Sequence, residues 1–164
     1  EGLAIELCAH LIGTCSDQAA SAANPSMDEG GRQGLALAVH AARVLCAVCK
    51  NNASSSARLR TCGGLSKVIS GLRSGTEGGR EVLGRGCAAI LHTSLSCEGL
   101  EREERERHES VWREKGALAS LIRMLARGGP ETKIEAAQAL SVACSGPRWG
   151  TEARLSCVEG ASNV

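Results

Sequence analysis

The sequence predicts an all-α protein whose helices stack as a solenoid of about three repeats, and three observations point there. Phe and Tyr are absent and Trp occurs twice in 164 residues, so Leu, Ile, Val, Ala and Cys must fill the core. These residues suit close-packed helices better than sheets, whose strands favour aromatic and β-branched side chains. A glycine-anchored apolar pattern recurs along the chain at helical spacing, and an alanine-rich segment follows each copy. With 43% hydrophobic and 23% charged residues, residues 1–164 read as one domain with a sizeable core.

The first repeat, about 2–55, opens at Gly2, after which Ala4, Leu7, Cys8 and Leu11 stand at the i, i+3, i+4, i+7 spacing of one helix face. Residues 16–33, SDQAASAANPSMDEGGRQ, carry the small and turn-forming residues of an inserted loop. Ala41, Ala42, Leu45 and Val48 then mark an alanine-rich helix. The second repeat, about 56–96, has Leu59 four residues before Gly63, the stripe Leu65, Val68, Ile69 and Leu72, and then Cys87, Ala88 and Leu91. Residues 97–110 are a charged insertion with six Glu and three Arg. Pairs such as Glu101 with Arg105 and Glu103 with Arg107 stand four apart, which predicts a solvated helical extension. The third repeat, about 111–147, has Trp112 four residues before Gly116, the stripe Leu118, Leu121, Ile122 and Leu125, and then Ala136, Ala137, Leu140 and Ala143. Gly160 and Ala161 open a fourth copy within 150–164. Because the first residues already read as helix, the chain is expected to be a segment of a longer polypeptide.

The segments ARLRTCGGLSKVISGL, SVWREKGALASLIRML and IEAAQALSVACSG resemble the armadillo-repeat family. The first two are similar to its turn into the second helix of a repeat, and the third to its third helix. Gly116 and Gly160 stand about 44 residues apart, within the roughly 40 to 47 of such repeats. The resemblance implies a right-handed superhelix of three-helix repeats whose third helices line a concave groove. In relatives that grip extended peptides, that groove carries an Asn ladder with Trp four residues before each Asn. The corresponding Asn positions here are Ala47, Thr93 and Val142, and the Trp positions are Arg43, Ala89 and Gln138. The ladder is absent, which sets a transport adaptor for peptide signals behind a non-catalytic interaction scaffold, such as a subunit of a cytoskeletal or other multi-protein assembly.

Other chemistries find little support in the residues. Cys46 and Cys49 form a Cys-x-x-Cys, but no second pair with zinc spacing accompanies it, so core packing and no bound metal are expected. Gly84 to Ala89 read GRGCAA without a preceding strand, so no dinucleotide cofactor is implied. His10, His40, His92 and His108 belong to different elements and no nucleophile pairs with them, so no catalytic residue and no enzyme activity are expected. The scarcity of aromatics and a net charge of +1 argue against nucleic acid as a partner. No apolar run approaches the roughly 18 residues of a membrane span. Nine cysteines in no secreted pattern predict reduced thiols in an intracellular, cytoplasmic protein. From Arg43 to Arg85 there are eight basic and two acidic residues, which predicts an acidic or phosphorylated protein segment as partner. Arg43, Arg85, Thr93 and Gln138 are the expected contacts, at groove positions that the resemblance implies.

Overall fold

The computed structural model describes residues 2–21, 29–75, 80–146, 150–151, 154–155 and 157–158. Among them the chain is all-α, with eight helices and no strand. In chain order they are α1 (Gly2–Ser21), α2 (Glu29–Cys49), α3 (Ala53–Thr61), α4 (Gly64–Ser74), α5 (Glu81–Leu95), α6 (Arg102–Lys115), α7 (Ala117–Arg127) and α8 (Pro130–Ser145).

Local sequence sets most of the boundaries. Asn52 caps α3, its side-chain oxygen accepting the Ser55 N–H at 2.9 Å. Gly63 and Gly116 break α3 from α4 and α6 from α7 with φ of 73° and 70°, a left-handed conformation that favours glycine. Four residues before each glycine, Leu59 and Trp112 are both fully buried, so the two breaks share one geometry. Pro130 starts α8, where its missing N–H costs nothing. Gly75 and Gly84 let the end of α4 cross α5 so closely that a Cβ on either would strike the other's backbone.

The long helices pack in two rows, α1 on α4 on α7 and α2 on α5 on α8, with α1–α2, α4–α5 and α7–α8 joining the rows. One continuous core results, which includes Leu65, Val68, Ile69, Leu72, Leu91, Leu121 and Leu140 as the stripes predict. Other stripe residues differ. Leu118 and Ile122 are half-buried, and Leu125 is 40% exposed, because α7 turns Ala117, Ser120, Leu121 and Met124 inward instead. On α8, Ala136 is buried and Ala137 exposed. In α1 the expected stripe is rotated: Ala4 and Leu7 are exposed, while Ile5, Ala9 and Ile12 are buried. Ala9 and Ile12 lie against Gly64 and Gly71 of α4, and this contact selects the face.

Two segments expected as insertions are largely helical. Residues 16–21 extend α1 and 29–33 begin α2, so the loop expected over 16–33 is helix at both ends; residues 22–28 lie outside the described residues. Over 97–110, residues 102–110 form the first part of α6, the helix that leads into Gly116. Its inner side is not solvated, since His108 and Glu109 are buried with Trp112. Glu103 pairs with Arg107 at 3.2 Å as expected, but Arg105 donates to the Leu95 carbonyl at 2.8 Å rather than to Glu101. Gly160 and Ala161 lie outside the described residues.

Candidate protein-binding surface

The expected contact residues all stand on the α2–α5–α8 row. Arg43 on α2 and Gln138 on α8 are exposed. Thr93 on α5 is half-buried; its hydroxyl donates to the Ala89 carbonyl at 2.9 Å and lies 3.8 Å from Cys46 Sγ of α2. Arg85 on α5 forms an ion pair with Glu131 at the start of α8. Beside it, Glu81 accepts the Gly129 N–H at 2.6 Å. Hydrogen bonds from Thr132 and from that N–H hold the Glu81 carboxyl below its usual range. A carboxylate at the first turn of α8 also complements the helix dipole. Arg85 and Glu81 therefore fasten α5 to α8, and Arg43 is left as the exposed cation among the four positions.

The same holds along the basic stretch. Arg58 pairs with Glu6 of α1, and Arg60 with Glu104 of α6, where its Nη2 lies 3.1 Å from Glu104 Oε2. Arg73 donates to the Lys115 carbonyl at 3.1 Å. Arg58, Arg60 and Arg85, three of the eight cations counted along that stretch, are thus met by carboxylates from distant segments. Sequence reasoning missed these pairs because their members lie 44 to 52 residues apart.

Around Glu104 the structure places a partly buried polar group on α6. Burial pushes the Glu104 carboxyl up, but the Arg60 guanidinium, with help from His108 and Arg107, holds it net below its usual range. His108 Nε2 lies 3.5 Å from Glu104 Oε1, and burial brings the His108 pKa down to about 4. A neutral, fully buried imidazole has no solvent path for proton transfer.

All nine cysteines are free thiols. Burial pushes Cys49 up to about 12 and raises Cys8, Cys15, Cys87 and Cys97, so these thiols stay protonated and poorly nucleophilic at neutral pH. Among the described residues, no three His, Cys, Asp or Glu side chains are grouped to hold a metal ion. One expectation changes: α2, 21 residues long, is by length and composition apolar enough to cross a membrane. In this fold its Ala38, Ala41, Ala42 and Leu45 are buried against neighbouring helices. Comparison with protein-family models, with curated proteins and with solved structures found no match.

Proposed function

We propose that this chain is a non-catalytic protein-interaction scaffold, an armadillo-like right-handed superhelix of about three repeats in which the α2–α5–α8 row is the binding face. The packing order carries the reading. Helices equivalent by sequence pattern lie next to one another in two rows, so each row offers one extended surface of the kind that helical-repeat proteins use for partners. The protonated buried thiols and the separated histidines support a non-catalytic role. Nine free thiols suit a reducing, cytoplasmic compartment.

The proposed partner is an acidic or phosphorylated protein segment lying across α2, α5 and α8 near Arg43, Thr93 and Gln138. Arg43 supplies the paired donors that a carboxylate or phosphate accepts, and Arg85 joins them where its bond to Glu131 is exchanged for the ligand. Fluorescence anisotropy with labelled peptides of alternating Glu and phosphoserine tests this. Binding at low salt, weakened several-fold by Arg43→Glu with Gln138→Glu at unchanged helicity, is the expected result. Equal binding by parent and variant removes the row as the site.

A further inference from the structure

Two half-buried cysteines meet where the chain returns to α8. Beyond α8 the backbone of Gly150, Thr151, Arg154, Leu155, Cys157 and Val158 is helical. Gly150, Arg154 and Cys157 stand at i, i+4 and i+7, which is one face of that segment. The first two touch Cys144. A Cβ at Gly150 would lie 2.5 Å from the Cys144 carbonyl oxygen, so glycine permits the close approach, and Arg154 Nη1 donates to the same oxygen at 2.7 Å. Cys157, next on that face, shares a side-chain hydrogen bond with Cys144. Both side chains pack against the shared core, and both are free thiols.

The other thiols are placed differently. Cys49 and Cys87 each have another cysteine nearby, but both are fully buried. Cys46 Sγ lies 3.8 Å from the Thr93 hydroxyl, and Cys62 Sγ donates to the Leu59 carbonyl at 3.5 Å. Cys144 and Cys157 combine mutual contact with partial exposure on both sides.

We propose that Cys144 and Cys157 are a redox-active pair that a hydroperoxide converts to a disulfide, stapling the segment around Arg154 and Cys157 to the end of α8. Burial and the neighbouring Cys144 push the Cys157 thiol up, so Cys157 keeps its proton and Cys144 attacks first. The Cys144 thiolate attacks one oxygen of hydrogen peroxide, the O–O bond breaks, and the leaving hydroxide takes up the proton that the thiol lost, as water. The Cys157 sulfur then attacks the resulting Cys144 sulfenic acid. An S–S bond forms, the S–O bond breaks, and the Cys157 proton leaves with the hydroxyl as a second water. The two sulfurs give up two electrons in all, and the peroxide is reduced to two waters. In a reducing compartment the bridge is transient, because a cellular dithiol exchanges with it and restores both thiols. The sulfurs stand 13 residues apart on one chain, so the step needs no second copy.

Oxidation of the reduced 164-residue chain with a small excess of hydrogen peroxide tests this, followed by alkylation, digestion and mass spectrometry. One intramolecular disulfide joining the Cys144 and Cys157 peptides is expected, reversible by dithiothreitol, with the other seven thiols alkylated once the protein is denatured. In Cys157→Ser, Cys144 is expected to stop at the sulfenic acid and to be trapped by dimedone. In Cys144→Ser, Cys157 is expected to stay reduced under the same treatment. Both variants are expected to keep the parental helicity by circular dichroism, since serine is nearly the size of cysteine. A parent whose disulfide joins other cysteines or links two chains overturns the proposal. So does a parent that consumes peroxide no faster than the Cys144→Ser variant, or a Cys157→Ser variant in which dimedone labels another residue ahead of Cys144.

Discussion

A leucine's worth in this fold depends on which way its helix is turned, and two leucines at equivalent pattern positions make the comparison. Leu72 is fully buried on α4, a helix that packs against α1, α5 and α7, whereas Leu125 of α7 is 40% exposed. Removing Leu72 leaves a cavity that a close-packed interior fills only in part. Leu72→Ala is expected to cost roughly 2 to 5 kcal/mol in urea unfolding. Leu125→Ala is expected to cost under about 1 kcal/mol, as surface changes usually do. Equal losses would mean that a further layer covers α7. The same contrast explains why α1 was misjudged from sequence. Leu3, Ile5, Leu7, Leu11 and Ile12 clothe more than one side of that helix, and only the seat of Ala9 and Ile12 on the glycines of α4 decides which side is inner.

At the scale of an element, α6 links stability to pH through two buried groups of opposite tendency. Burial depresses His108 to about 4, so its contribution is present above the ordinary histidine range and is lost as pH falls from about 6.5 through 4. Burial raises the Glu109 carboxyl, whose Oε1 lacks a hydrogen-bond partner among the described residues. Its contribution is therefore present below the ordinary carboxylate range and is lost as pH rises through the raised value. Glu109→Gln is expected to stabilise the protein by roughly 1 kcal/mol at neutral pH and to leave the acid-side loss in place. His108→Leu is expected to flatten that acid-side loss. Thermal melts of both variants between pH 4 and 8 check the signs; a Glu109→Gln protein that is less stable at pH 7 would mean that the carboxylate has an ionic partner. The charged run was legible as helix from its spacing, because Glu103 and Arg107 meet across one turn. Its buried side was not legible, because a single Trp and a His among the ten charged residues of α6 give no apolar stripe to read.

Across the whole molecule, the all-α fold was readable where backbone geometry demands a residue type and unreadable where distant segments meet. Gly63 and Gly116 announce their turns because a positive φ favours glycine, and the buried Leu59 and Trp112 keep the same distance from them. The candidate surface lost Arg85, and the basic stretch lost Arg58 and Arg60, because Glu131, Glu6 and Glu104 come from other helices, a pairing that no local pattern encodes. What joins the helices into one body is the shared core, and its thiols can report on it. Cys87 Sγ lies against Gly71 of α4, close to Ile12 of α1, so reaching it requires α1, α4 and α5 to part. Cys49 is equally buried at the end of α2. Both are therefore expected to resist iodoacetamide in native buffer while the half-buried Cys62 and Cys144 react, since only an accessible thiolate is a good nucleophile. With rising urea, Cys49 and Cys87 should become labelled together, at the midpoint of the loss of helical circular dichroism, as one cooperative unit requires. Labelling of Cys49 well before Cys87 would instead place separate folding units along the stack, each repeat opening at its own stability.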